Sequence, residues 1–144
     1  KEIDYVFVDM DVLFQNIHGW SPAEFIRRNG EEEFRIEESR VLKEKLPETE
    51  NLIVSCGGGT PCFHNNMEWM KNNGKTIWLN IPKEHIFQRL SEQKGDRPMI
   101  PKTDGTPDYE KFLMHYSERE KFYAMADFSF GEANLDAVLP VLNI

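Results

Sequence analysis

Short apolar runs alternate along the chain with longer stretches in which apolar residues recur every three or four positions. The short runs are typical of buried strands, and the longer stretches indicate amphipathic helices. Because parallel strands need a crossover between them, the alternation predicts an α/β fold with a mainly parallel sheet covered by helices on both faces. The predicted strands are residues 5–8, 52–54, 75–79 and 127–130.

Capping residues and glycines mark the ends of the predicted helices. Ser21, Pro22 and Glu24 form a capping box, which starts a helix that ends at Gly30. Further helices are predicted at residues 31–46, 63–73, 82–93, 108–124 and 135–142.

Residues 94–107 contain two glycines and three prolines and show no periodicity. A loop this long inside a compact domain is usually functional or disordered. It carries Arg97, and a mobile loop with an arginine is suited to closing over phosphates and stabilising developing charge. A plain surface connection fits the same pattern equally well.

The strand at 52–54 leads through Ser55 and Cys56 into three consecutive glycines, Gly57, Gly58 and Gly59. Without side chains, this segment lets backbone N–H and C=O groups come close to a ligand. Small molecules bind outside the carboxyl ends of strands in open α/β sheets, so a ligand loop is predicted here. A structural turn is the alternative.

Two carboxylates, Asp9 and Asp11, follow the first strand. On extended backbone they point to the same side, where they repel each other unless a cation or a donor-rich ligand lies between them. The position favours a site, and a solvated start of a loop is the alternative.

Charged residues also lie on apolar helical stripes. Glu38 shares the inward face of helix 31–46, with Arg35 three residues away, and the pair by itself is best interpreted as a structural ion pair. Arg119 lies on the stripe of helix 108–124, where it either meets an anion or extends to solvent. Considered together, Arg35, Arg97 and Arg119 lack an obvious acidic partner, and with the carboxylates they suggest a hydroxylated, anionic substrate and phosphoryl chemistry.

Composition narrows the class of protein. The 144 residues suit one domain, and the net charge of −8 argues against binding to nucleic acid. No apolar run approaches the length of a membrane span. Two cysteines suggest no disulfide framework, so the cytoplasm is the expected location. Cys56, Cys62 and His64 match no zinc spacing.

Five stretches together resemble the shikimate kinases in order and spacing, over nearly the whole chain. They are Phe7 to Asp11, Gly30-Glu31 with Phe34-Arg35 and Glu38, Ser55 to Gly59, Arg97-Pro98, and Arg119 near Tyr123. The resemblance implies a fold of the nucleoside-monophosphate-kinase type, with a P-loop, in a single three-layer α/β/α domain over residues 1–144. It implies transfer of the ATP γ-phosphate to the 3-hydroxyl of shikimate. The acceptor would bind near residues 12–46, and residues 94–107 would form a lid.

The resemblance also implies roles for residues on the acceptor side. Asp11 would hold the shikimate hydroxyls and act as, or orient, the base. Arg35 and Arg119 would clamp the substrate carboxylate. Gly57, Gly58 and Gly59 would offer backbone groups to the ring hydroxyls, and Phe34 would line the pocket.

On the donor side, Arg97 would reach the transferred phosphate, and Asp9 would help to hold Mg²⁺ through water. Arg89 would lie near the adenine. Glu38 would orient Arg35 without touching the substrate. Shikimate and ATP are the expected partners, and a monomer is the expected state.

No P-loop of the form G-x-x-x-x-G-K-[ST] occurs in these residues. In the family this motif precedes the Asp9 strand, on a segment of roughly 25 residues. We therefore expect such a segment in the protein. The resemblance implies that the first strand of this segment lies in the centre of the sheet. Without it, the Asp9 and Gly57 strands are expected to be separated from the other two, with apolar faces and ladder groups unpaired.

Two other functions fit parts of the pattern. One is a binding protein that keeps the shikimate site and lacks the ATP site. The other is a different small-metabolite kinase of the same fold, such as a gluconate-type enzyme. Two arginines aimed at a carboxylate favour shikimate over gluconate.

Overall fold

Two units make up the part of the chain that this computed structural model describes, which is residues 4–92, 102–132 and 134–142. The first unit runs to Trp69 and the second begins at Met70. The strands are β1 (Val6–Asp9), β2 (Leu52–Ser55), β3 (Ile77–Leu79), β4 (Lys102–Thr103), β5 (Thr106–Pro107) and β6 (Phe128–Phe130). The helices are α1 (Met10–His18), α2 (Pro22–Asn29), α3 (Glu31–Glu44), α4 (Asn66–Asn73), α5 (Lys83–Glu92), α6 (Tyr109–Tyr123) and α7 (Leu135–Val138), followed by a 3₁₀ turn (Leu139–Leu142).

In the first unit, β1 and β2 form a parallel pair, as predicted. Val6 lies opposite Leu52, and the register continues to Asp9 opposite Ser55. The two strands therefore end side by side, which brings the residues after Asp9 and after Ser55 to one edge. Among the described strands, β1 and β2 pair apart from β3 and β6, which is the separation predicted for this stretch of sequence.

The chain enters helix α1 directly after β1, and the interpretation of the sequence missed this helix. Asp9 is its N-cap, because Asp9 Oδ1 accepts hydrogen bonds from the amides of Asp11 (2.9 Å) and Val12 (3.3 Å). Asp11 therefore lies in the first helical turn. The prediction that Asp9 and Asp11 share one side of an extended segment is wrong, because the backbone turns into a helix between them.

Three phenylalanines hold the helices of the first unit together. Phe14 of α1 packs edge-on against Phe25 of α2 and Phe34 of α3, with ring centroids 5.2 and 5.1 Å apart. All three rings are buried, as are Val41 and Leu42 further along α3. Edge-to-face packing adds stabilisation to that of apolar burial, so this cluster fixes how α3 lies against α1 and α2.

The segment after the glycines differs from the predicted helix over residues 63–73. A 3₁₀ turn (Thr60–Cys62) comes first, and α4 begins only at Asn66. His64 and Asn65 separate the two with positive φ angles of 49° and 55°. Left-handed residues cannot continue a right-handed helix, which explains the later start.

In the second unit, β3 and β6 form a second parallel pair, as predicted, with Ile77 opposite Phe128. Just before these strands, Asp127 Oδ2 accepts hydrogen bonds from the Thr76 amide (2.9 Å) and hydroxyl (2.7 Å). Helix α6 is capped by Asp108 and buries Phe112 and Tyr116, which belong to its predicted stripe.

Part of the predicted loop at 94–107 has regular structure. Lys102–Thr103 and Thr106–Pro107 pair as a short antiparallel hairpin. Its turn is Asp104-Gly105, with φ angles of 52° and 80°. Positive φ at both central positions is what tight hairpin turns require, and Asp-Gly is a favoured pair there.

Several apolar residues of the strands are exposed, which agrees with the unpaired apolar faces predicted for this stretch of sequence. Phe7 is 65% exposed, and Val6 and Leu79 are also exposed. Each described parallel sheet has only two strands.

Candidate functional site

Arg35 and Glu38 form a buried ion pair on helix α3. The distance from Arg35 Nη1 to Glu38 Oε2 is 2.8 Å, and the two side chains are only 5% and 6% exposed. A guanidinium and a carboxylate this deeply buried must be paired, since each alone carries a large desolvation cost. The pairing that the sequence suggested is therefore present, and it fixes one edge of the guanidinium.

The rest of the Arg35 guanidinium is also contacted. Glu31 Oε1 lies 3.4 Å from both Nε and Nη2. The guanidinium carbon lies 4.5 Å from the centre of the Phe63 ring and 5.1 Å from that of Phe34. The interpretation of Arg35 as an arginine without an obvious acidic partner is therefore wrong, because two glutamates of its own helix reach it.

The glycine loop lies directly against this pair. A Cβ atom built on Gly59 would overlap the Arg35 guanidinium, with its carbon only 2.6 Å away. A Cβ atom on Gly57 would lie 3.8 Å from both Asp11 Oδ1 and Glu38 Oε1. The first unit thus brings together Asp11, Arg35, Glu38 and the loop, and at Gly59 only glycine leaves room for the arginine.

The chain's own turn uses part of the loop's hydrogen-bonding capacity. The carbonyl of Gly57 accepts a hydrogen bond from the amide of Thr60 (3.1 Å), and that of Gly59 accepts one from Cys62 (3.0 Å). Gly58 is the exposed member of the three. The three glycines therefore form a turn, and Gly57 and Gly59 also lie against predicted site residues.

Negative charge gathers around the end of β2. Burial and, to a smaller extent, the nearby carboxylates of Glu38, Asp11 and Asp9 together raise the pKa of the Cys56 thiol to about 11. Three carboxylates thus act on the Cys56 sulfur. Arg35, which pairs with Glu38, is a nearby cation among the described contacts. Such a field favours a cation or a ligand with several hydrogen-bond donors.

Neither a membrane-spanning helix nor a ready-made metal cluster occurs within residues 4–92, 102–132 and 134–142. No helix there is long and apolar enough to cross a bilayer. No three His, Cys, Asp or Glu side chains lie together so as to hold an ion. Mg²⁺ in kinases is usually held by one or two carboxylates with substrate phosphates and water, and such a site needs no cluster of that kind.

The other predicted arginines belong to the second unit. Arg119 is half-buried on α6, and its side chain makes no hydrogen bond or ion pair with the described residues of its unit. Arg89 is exposed near the end of α5. Arg97 lies outside the described residues.

Reasoning from the sequence missed Thr60, Ser39 and Asn66. Thr60 Oγ1 donates a 2.7 Å hydrogen bond to Glu38 Oε1, and Ser39 Oγ donates one of 2.7 Å to Asn66 Oδ1. Thr60 follows the glycine loop directly, which was the one available signal. The sequence around Asn66 gave no such signal, because the local pattern does not distinguish a buried asparagine from an exposed one.

The parallel strands, the glycine loop at their carboxyl edge and the arginine–carboxylate pair define an α/β protein, and they lie at the edge where such folds commonly bind small molecules. The shikimate kinase family model matches residues 1–138. A shikimate kinase from Azobacteroides pseudotrichonymphae is 34% identical over 132 residues, which cover 90% of this chain and 76% of that protein. The chain therefore belongs to the shikimate kinase family.

Solved structures support the same assignment. The crystal structure of shikimate kinase from Bacteroides thetaiotaomicron has a TM-score of 0.81 and 30% identity, and the match covers 98% of this chain and 85% of that one. Shikimate kinase from Acinetobacter baumannii in complex with shikimate has a TM-score of 0.82 at 22% identity, covering 96% and 79%, and shows the shared fold.

These matches confirm the predicted fold class, the family and a phosphotransferase activity. Shikimate kinases transfer a phosphoryl group from ATP to shikimate, and the matches do not favour a binding-only protein or a gluconate-type kinase.

Proposed function

We propose that this protein transfers the γ-phosphoryl group of ATP to the 3-hydroxyl of shikimate at the edge where β1 and β2 end. The observation that carries the proposal is the placement of Arg35. Its guanidinium is fixed by Glu38 (2.8 Å) and lies against Gly59, next to the loop that faces Asp11. A fixed cation beside a carboxylate and a side-chain-free loop suits a molecule with both an acid group and hydroxyls.

The substrate carboxylate binds the Nε–Nη2 edge of Arg35 in this proposal. Nη1 is taken by Glu38, so Nε and Nη2 are the edge that a ligand can use. Glu31, whose side chain is 43% exposed, contacts that edge at 3.4 Å. A substrate carboxylate takes its place in a two-pronged contact, and Arg119 supplies the second guanidinium.

The hydroxyls of the substrate meet Asp11 and the glycine loop. Asp11 accepts hydrogen bonds from them and takes the proton of the attacking 3-hydroxyl, or orients the group that does so. Gly57, Gly58 and Gly59 contribute mainly amide N–H groups, since the carbonyls of Gly57 and Gly59 already serve the turn. Phe34 is buried against Phe14, and its ring centre lies 5.1 Å from the Arg35 guanidinium carbon, so in this proposal it lines the acceptor pocket.

On the donor side, Arg97 reaches the transferred phosphate and Arg89 lies near the adenine. Asp9 has the chemistry for one carboxylate contact to Mg²⁺ through water, because only its Oδ1 is engaged in capping α1. Bound Mg²⁺ would neutralise charge on the phosphates during transfer. We further propose that the enzyme works in the cytoplasm as a monomer.

The test is to mix the full-length protein with ATP, Mg²⁺ and shikimate and to follow release of ADP. Turnover that depends on shikimate is expected, and gluconate should give none. No turnover, with shikimate still raising the melting temperature, would leave only a binding protein. Turnover with gluconate and not with shikimate would contradict the assigned acceptor.

A further inference from the structure

A chain of buried hydrogen bonds lies behind Arg35 and takes no direct part in the proposed reaction. Ser39 Oγ donates to Asn66 Oδ1 (2.7 Å), and Asn66 Nδ2 donates to the backbone carbonyl of Thr60 (2.9 Å). The hydroxyl of Thr60 donates to Glu38 Oε1 (2.7 Å). Glu38 Oε2 in turn accepts from Arg35 (2.8 Å). The series thus links three backbone segments to one guanidinium.

The residues of this hydrogen-bond series are shielded from water. Thr60 and Asn66 are 0% exposed, and Ser39 is 6% exposed. In such a place a polar group without a partner is costly, and a satisfied network has one preferred arrangement. The network therefore holds Glu38 in one orientation, with a different partner on each of its oxygens.

The orientation of Glu38 decides which edge of Arg35 faces outward. With Oε1 held by Thr60, only Oε2 is left for Nη1. Loss of the Thr60 contact would let the carboxylate rotate and take Arg35 with it. Because a carboxylate is recognised by a planar fork of two N–H groups, even a modest rotation would spoil the fit.

We propose that Thr60 is a positioning residue for the substrate carboxylate, acting through Glu38 on Arg35. The inference rests on the proposed function, in which Arg35 binds that carboxylate. In this proposal Thr60, the residue that follows the three glycines, helps to determine the affinity for shikimate.

Thr60→Val tests this in the full-length protein, because valine keeps the shape and removes the hydroxyl. We expect the KM and the Kd for shikimate to rise about tenfold, with the KM for ATP changed by less than about twofold. Thr60→Ser restores the hydroxyl and should bring shikimate affinity back to within about threefold of the wild type.

Thr76→Val is the matched control in the second unit. Thr76 is 9% exposed, and its hydroxyl also donates to a carboxylate, Asp127 Oδ2, at 2.7 Å. It should lower the melting temperature without changing the Kd for shikimate. Equal changes in Kd for Thr60→Val and Thr76→Val would overturn the proposal, since both would then act through stability alone.

Two further variants keep the test decisive. If Thr60→Val does not fold, Ser39→Ala offers a second test, because Ser39 lies at the opposite end of the hydrogen-bond series from Arg35. It should raise the Kd for shikimate about two- to fivefold, and no change would contradict the proposal.

Arg35→Met tests the proposed function itself. If Arg35→Met weakens shikimate binding and Thr60→Val does not, only the positioning role fails. If Arg35→Met binds shikimate normally, the proposed function fails.

Discussion

Arg35 and Arg119 lie at similar positions on the inward stripes of two helices, but their surroundings differ. Arg35 is buried and meets Glu38 at 2.8 Å and Glu31 at 3.4 Å. Arg119 is half-buried and makes no ion pair with the described residues of the second unit. An arginine on a predicted inward stripe is thus paired with glutamates of its own helix in one case, and it has no ion pair among the described residues of its unit in the other.

The comparison of Arg35 with Arg119 separates a contribution to folding stability from a contribution to ligand binding. An arginine that is satisfied internally contributes to the folded state, and removing its partner leaves a charge stranded in the interior. An arginine without an internal partner contributes little to folding and is available to a ligand. We therefore expect the first unit to lose stability when its pair is broken, and Arg119 to matter mainly when substrate binds.

The largest expected effect is on stability, from Glu38→Ala. This change removes the 2.8 Å partner of the buried Arg35 guanidinium and leaves only the longer 3.4 Å contacts with Glu31, so it should lower the free energy of unfolding by about 3 kcal/mol. Arg119→Ala is the comparison variant and should change it by less than about 0.5 kcal/mol. Urea denaturation of the full-length protein measures both. Similar losses for the two variants would remove the distinction between the arginines.

A smaller effect concerns acid stability in the second unit. Hydrogen bonds from the Thr76 hydroxyl and amide, and then Lys71, hold the pKa of Asp127 at about 2, below its usual value of 3.8. A lowered pKa stabilises the folded state above the unfolded pKa, so this contribution is complete above about pH 4 and is lost between about pH 4 and pH 2.

Melting temperatures between pH 2 and pH 6 test this dependence. Asp127→Asn should flatten the fall in melting temperature below pH 4. Asp104→Asn, in the exposed hairpin turn, should leave the curve unchanged because asparagine also adopts a positive φ. A wild-type curve that matches that of Asp127→Asn would show that the bonds to Thr76 carry no pH dependence.

Strand positions and most helix boundaries could be predicted because they depend on local pattern. The strands of the two parallel pairs follow from short apolar runs, and the α2–α3 boundary follows from the Asn29-Gly30 signal. Helix α1 also had a local signal, with apolar residues at Met10, Leu13, Phe14 and Ile17. It was missed because Asp9 was interpreted as the continuation of a strand, whereas Asp9 caps the helix.

The candidate site could be predicted only in part. The approach of Arg35 to Glu38 spans three residues of one helix, which a helical projection shows. The contact of Thr60 with Glu38 spans 22 residues, and that of Ser39 with Asn66 spans 27. Such contacts depend on how α3, the glycine loop and α4 pack, and no local pattern contains that information.

Calorimetry with shikimate and with its methyl ester tests the central claim, which is that arginines of this chain bind the substrate carboxylate. The wild-type protein should bind shikimate at least about 30-fold more tightly than the uncharged ester, which corresponds to about 2 kcal/mol. Arg119→Ala should lose most of that preference while its affinity for ATP stays nearly unchanged. Full discrimination in Arg119→Ala, or equal losses for shikimate and ATP, would contradict the account.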